Sequence, residues 1–149
     1  MLRWILTFED LAAGGPKRSG IAVTFDDMEI DAWYGMRDLF AKYDARATFF
    51  VARYPEWTDD GRQKLHTLFD EGHSIEAHGL HHVNICAYTA EHGLDAYITD
   101  EVLPSIDLLR DDGFMPVSYA FPGGAMGHEI VDDLAPMIPI TRGITQLPQ

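Results

Sequence analysis

One cysteine, Cys86, is all that this chain of 149 residues contains, so no disulfide can form within it and burial alone has to hold the core. We expect that thiol to be structural and half-buried. Basic side chains are scarce too: 11 Lys and Arg face 24 Asp and Glu, a formal net charge of −13. Such a field repels phosphate backbones and anionic headgroups, so neither nucleic acid nor a membrane is expected as a partner. A neutral or weakly cationic substrate is not opposed. No low-complexity tract or repeat is present. The first apolar run, Met1–Phe8, meets Glu9 and Asp10 and is too short for the ~7–15-residue core of a secretory signal. With no export signal visible, either the protein stays in the cytoplasm or an upstream segment lies outside this chain.

What is there suits a folded α/β protein. The hydrophobic share is 46% and the charged share 23%, ordinary globular values, and the length fits one domain over 1–149, large enough to bury ~68–70% of the surface its unfolded chain would expose. From Ile21 onward, short apolar runs alternate with amphipathic stretches, as in βα units that build a parallel sheet. Strands are expected over Ile21–Phe25, Ala47–Ala52, Ser74–Ala77, Val117–Phe121 and Ile138–Ile144, within a sheet of about six.

Trp33, Met36, Leu39, Phe40 and Tyr43 share one face of a helix. A second helix runs from about Asp59 to Glu71, with Asp59 or Asp60 as N-cap and Gly72 ending it. A third carries the stripe Leu94, Ile98, Val102, Ile106 and Leu109. Pro104 lies inside it, so a kink or break is expected near Asp100–Leu103. Pro122-Gly-Gly124 makes a loop, and a short helix follows over His128–Pro136.

Binding groups in parallel α/β sheets gather at the carboxyl ends of strands. Three polar clusters fall there: Asp26-Asp27, His78-Gly-Leu-His-His82, and Pro122-Gly123-Gly124. Adjacent aspartates at a strand end point in different directions, so one could bind a cation while the other takes a proton; the pair could equally cap the next helix. His78 and His82, four apart, can converge on one metal, with His78 and His81 as a rival pair. His66, His73, His92 and His128 have no such partner and are expected at the surface or in the core. The two glycines could serve only to let the backbone turn.

Taken together the clusters resemble the motifs of the polysaccharide deacetylases, a carbohydrate esterase family that includes chitin and peptidoglycan N-acetylglucosamine deacetylases. The first motif is similar to Thr24-Phe25-Asp26-Asp27, followed at the usual distance by Ala47-Thr48-Phe49-Phe50-Val51. The second resembles the His78…His82 pair within Gly72-His73-Ser74-Ile75-Glu76-Ala77-His78, and the third Tyr119-Ala120-Phe121-Pro122-Gly123-Gly124. The resemblance implies an incomplete, distorted (β/α) barrel with a mainly parallel sheet, shorter than the usual family fold. It also implies Asp26 as general base, Asp27, His78 and His82 as ligands of one divalent metal, and the Gly123 N–H as an oxyanion donor. Zinc suits that ligand set, with cobalt, nickel or manganese as alternatives. The implied reaction is hydrolysis of N-acetyl groups on an N-acetylglucosamine-containing glycan.

The sequence departs from the family pattern in two places. Ala120 stands where the third motif has an arginine that orients the base; Arg142, on the next candidate strand, is expected to replace it. The late Leu-any-His motif that supplies the general acid, and the acidic motif supporting it, do not occur within these residues, so hydrolysis by this chain alone is expected to be weak. An early stop to the sheet leaves an unpaired edge, from which a homo-oligomer is expected. Competing readings are a nearly inactive metal- and glycan-binding relative, a hydrolase of cyclic amides on the same scaffold, and an assembly subunit with inherited polar clusters.

Overall fold

The computed structural model describes residues 21–126 and 128–144, without the side chains of residues 128 and 129. Among them five short strands are all parallel: β1 (Thr24–Asp27), β2 (Thr48–Val51), β3 (Ser74–Ala77), β4 (Ser118–Ala120) and β5 (Ile140–Arg142). Their spatial order is their chain order, the winding of a barrel, whereas doubly wound sheets reverse direction. The sheet curls into a half-barrel. Asp26 on the first strand meets Arg142 on the last through a side-chain hydrogen bond across the concave face.

Helices fill every crossover: α1 (Ile30–Gly35) and α2 (Arg37–Lys42), then α3 (Asp59–Asp70), then α4 (Ile85–His92), α5 (Leu94–Tyr97) and α6 (Leu103–Asp111), then α7 (His128–Leu134). Strand register assigns the two faces. Phe25, Phe49 and Ile75 are registered neighbours, as are Ala77 and Tyr119, and this face carries the main core. Trp33 from α1 stacks on Phe49 at 5.0 Å between centroids, and Phe40 from α2 meets it edge-on. Leu65, Leu68, Ile106 and Leu109, from α3 and α6, are buried in the same cluster.

The opposite face is polar. Thr24, Thr48 and Ser74 form one registered row, and Asp26, Phe50 and Glu76 the next. The Glu76 carboxylate accepts hydrogen bonds from Ser74 Oγ at 2.6 Å and from the Val117 and Ser118 amides at 2.8 and 2.7 Å. The two amide bonds tie β3 to the start of β4, where the ladder registers a single residue pair, Ala77 with Tyr119. Burial pushes the Glu76 carboxyl up to about 7.

Several expectations need correction. The first helix is two, broken at Met36 (φ −89°, ψ 1°) just after Gly35, a residue that weakens a helix interior. Thr58 caps α3, its hydroxyl accepting from Gly61 N at 3.1 Å; Asp59 and Asp60 occupy the first turn, where negative charge suits the helix dipole. The break expected near Asp100–Leu103 is present, as a π turn over Ile98–Val102 that interrupts the third stripe ahead of Pro104. It sets Pro104 in the first turn of α6, where a missing N–H costs no hydrogen bond. Helix α4 was not foreseen: it buries only Ile85, and Asn84 starts it by accepting from the Cys86 and Ala87 amides. Cys86 is exposed on it, not half-buried. The described residues hold five strands instead of about six, and Met1–Phe8 lies outside them.

Candidate functional site

All three polar clusters arrive at one end of the curled sheet. Asp26 and Asp27 close β1, and Asp27 has a positive φ of 81°, a conformation that costs a non-glycine residue of order 1–3 kcal/mol and persists only where its surroundings enforce it. His78 follows β3 directly and is 2% exposed. His82 ends the loop with φ 60°. Two strained non-glycine residues thus flank the point where the side chains meet.

The convergence is close. Nε2 of His82 lies 2.9 Å from Asp27 Oδ1, and Nε2 of His78 lies 3.5 Å from the same oxygen. One ligand-type atom from each of Asp27, His78 and His82 falls within 4.8 Å of the others. His78 Nδ1 donates to the Ala120 carbonyl at 2.9 Å, since a carbonyl can only accept. Burial lowers the His78 pKa, favouring the neutral ring, so its Nε2 turns a lone pair toward a carboxylate oxygen. Two acceptors facing each other repel. A cation between them removes that conflict, and the donor set of one carboxylate and two imidazoles suits a borderline divalent metal. The rival pair does not form: His81 Nδ1 is engaged by the Glu101 carboxylate.

Beside this triad the Asp26 carboxylate lies at the end of the polar face. Its Oδ2 accepts from Arg142 Nη2, while its Oδ1 is buried with no hydrogen-bond partner among the described residues. Arg142 also lies over the Phe50 ring, 4.9 Å from its centroid. Its position has a simple origin. Ala120 and Arg142 are registered partners on β4 and β5, so an arginine one strand over reaches the space that a long side chain at position 120 would fill. Meanwhile the Ala120 carbonyl, which orients His78, is independent of the side chain at that position.

Gly123 and Gly124 turn with φ of 69° and 72°. A Cβ on Gly124 would run into the Ile144 side chain, and Ile144 N donates to the Gly124 carbonyl at 3.0 Å, so this loop packs closely on the segment after Arg142. Asp26, Asp27, His78, His82, Phe121, Gly123, Gly124, Arg142 and Ile144 line one cavity of about 300 Å³. A second hollow of about 240 Å³, lined by Asp27, Met28, Glu29, Ala52, Arg53 and His82, adjoins it, leaving Asp27 and His82 as the ridge between them.

Sequence reasoning missed Glu101, 1% exposed beneath the histidine loop. Its only signal was a carboxylate placed next to Val102 in an apolar helical stripe. Glu76 was quoted as part of a motif without a role; it joins two strands. His73 is buried, its Nδ1 accepting from the Ala47 amide at 3.0 Å, and His66 stacks on Phe114.

Known proteins resemble this chain in sequence and in fold. Over 85 residues the chain is 34% identical to a peptidoglycan deacetylase of Helicobacter pylori, a match covering 56% of this chain and 27% of that protein. A Streptococcus pyogenes deacetylase, PplD, solved with acetate, superposes with a TM-score of 0.68 at 20% identity, over 89% of this chain and 62% of its own. A Streptococcus mutans CE4 esterase gives 0.64 at 26% identity, over 80% and 54%. The chain thus spans about a quarter of that curated relative's length. The polysaccharide deacetylase family model matches residues 13–137, a span that contains the acidic pair, both converging histidines and the Pro-Gly-Gly loop, and the chain belongs to that family.

Proposed function

We propose that this protein is a metal-dependent hydrolase that removes N-acetyl groups from an N-acetylglucosamine-containing glycan. The observation that carries the reading is the meeting, in one cavity, of the Asp27–His78–His82 triad with an Asp26 oxygen that has no partner among the described residues. Asp27, His78 and His82 would hold the metal, most simply zinc, with cobalt, nickel or manganese compatible by ligand type. Bound there, such an ion lowers the pKa of water from 15.7 toward ~7 and polarises a carbonyl.

The chain's own residues supply the rest. Asp26 takes the proton of the attacking water at Oδ1, its free oxygen, while Arg142 holds Oδ2 and so fixes the direction in which Oδ1 points. The Gly123 N–H would donate to the acetamide oxygen as it gains charge; losing a donor of this type typically costs ~2.7–4 kcal/mol. Among the described residues lining the cavity, protonated Asp26 is the group able to return a proton to the leaving amine. The substrate class draws on the H. pylori relative, described as a peptidoglycan deacetylase, and on the net charge of −13, which does not oppose a neutral sugar. Self-association remains part of the proposal, and a uniform monomeric mass in light scattering at micromolar concentration would remove it.

The deciding experiment is acetate release from N-acetylglucosamine oligomers before and after chelation. Release should stop when the metal is removed and return when zinc is restored. Hydrolysis that survives chelation would instead favour a metal-independent amide hydrolase on this scaffold, and zinc binding without release a non-catalytic relative.

A smaller prediction concerns Arg142. Arg142→Ala should lower kcat by up to about 10²-fold, the effect of a catalytic group misplaced by about 1 Å, with little change in KM, and Arg142→Lys should recover part of the loss. Unchanged kcat in Arg142→Ala would end its assignment as the orienter of Asp26.

A further inference from the structure

We propose that Glu101 is a positioning residue for the metal triad, acting through the three residues between His78 and His82; this rests on the metal reading given above. Those residues, Gly79-Leu80-His81, must deliver two imidazoles to one point while the backbone adopts left-handed conformations at both Gly79 (φ 88°) and His82 (φ 60°). The second is unfavourable for histidine. A short loop under that strain does not hold itself in place.

Glu101 grips it at successive residues. Its backbone carbonyl accepts from Leu80 N at 3.2 Å, and its carboxylate accepts from His81 N, at 2.9 Å to Oε2 and 3.2 Å to Oε1. The same carboxylate engages His81 Nδ1, drawing His81 away from the cavity. Gly79 is closely packed as well: a Cβ there would come within 3.3 Å of Glu101 Oε2 and of the Tyr119 hydroxyl, and within 3.2 Å of Pro122. Glu101 itself does not line the cavity, so it acts only by way of the loop.

Its setting argues for such a role. A carboxylate that is 1% exposed carries a large desolvation penalty unless its partners are well placed, and an apolar residue would suit the surrounding helical stripe better. The π turn over Ile98–Val102 is the local irregularity that contains Glu101, and turns of this kind recur at functional sites. Here the irregularity and the buried carboxyl group both serve one loop, the one that carries two of the three proposed ligands.

The test is zinc affinity, by competition with a chromophoric chelator, for the wild type, Glu101→Leu, Glu101→Gln and a control, Leu109→Ala. The control opens a cavity under α6 and lowers thermal stability without touching the loop. Outer-sphere partners of metal ligands typically contribute 10–100-fold in affinity, so Glu101→Leu should bind zinc about 10–100-fold more weakly. Glu101→Gln, whose amide oxygen still accepts from His81 N, should lose less, and Leu109→Ala should match the wild type. If Glu101→Leu does not fold, a folded Glu101→Gln with weakened zinc binding supports the role and one with wild-type affinity overturns it. Equal affinity in the wild type and both Glu101 variants overturns the positioning role and leaves the metal site standing. A wild type that binds no zinc removes the metal site, and the positioning role with it.

Discussion

Asp26→Asn is expected to reduce the rate of acetate release by about 10²–10⁴-fold, the usual contribution of a positioned general base. The substitution keeps the size and shape of the side chain but leaves no group to accept a proton at the position now held by the unpartnered Oδ1. It also leaves Arg142, whose Nε is already buried without a partner among the described residues, facing an uncharged amide. Zinc affinity should be almost unchanged, because Asp26 is not one of the three converging donors. Single-turnover assays on the zinc-loaded variant separate the two effects. Activity within threefold of the wild type would mean that the base lies elsewhere; lost activity accompanied by lost zinc would make Asp26 a ligand instead.

The second large effect is on stability, and it arises from two buried groups of opposite behaviour. Glu76 has an ordinary value of 4.5, pushed up by burial to about 7. Its favourable contribution is therefore complete below about 4.5 and is lost as pH rises through 7, since the folded state then has to bury a charge. A displacement of that size corresponds to about 3 kcal/mol at ~1.4 kcal/mol for each pH unit. His73 runs the other way. Burial, helped by the nearby Arg46, lowers its value from 6.5 to about 4, so its contribution is complete above 6.5 and is lost as pH falls through 4, again by about 3 kcal/mol.

Between about pH 4.5 and 6.5 the two slopes oppose each other, and the wild type should show little pH dependence from this pair. Glu76→Gln can keep the same bonds, its oxygen accepting from the Val117 and Ser118 amides and its amide group donating to Ser74. It should therefore expose the His73 slope, gaining stability steadily from pH 4.5 to 6.5, and exceed the wild type at pH 8. Urea unfolding at four pH values across this range measures it. Parallel curves for the two proteins would show that Glu76 is not the titrating group.

Much of the architecture was legible because the first motif and its distant partners are backbone features as well as chemical ones. Thr24–Asp27 starts in β-forming residues and ends at two aspartates, and Thr48–Val51 is a fully buried β-forming run; hydrophobic patterning reads such runs directly. The kink before Pro104 was legible for the same reason, since a proline has one good place in a helix. Helix α4 was not, because an exposed helix with one buried residue has no stripe, and its start depends on a single Asn84 oxygen. Thr58 lost to Asp59 as the expected cap because all three neighbours are good caps, and only the backbone angles choose between them. At the site, family resemblance named the aspartates, the two histidines and Gly123. The replacement of the missing arginine was visible as a strand-end position at 142, but that it reaches Asp26 depends on the curl of the sheet. Glu101 could not be assigned without knowing which loop passes over the π turn.

The contact between Asp26 and Arg142 joins residues 116 positions apart, while Asp27, His78 and His82 all lie within one stretch of 56 residues on and beside β1 and β3. Ordering the longer span requires the whole sheet to close, and the ends of a sheet are where local opening begins. Under the proposed function, a molecule in which β5 has frayed would keep the residues assigned to the ion together while the one assigned to the proton lost aim. Warming or mild denaturant should then silence turnover before a loaded metal is released, so that activity, rather than metal content, reports whether β5 is in place.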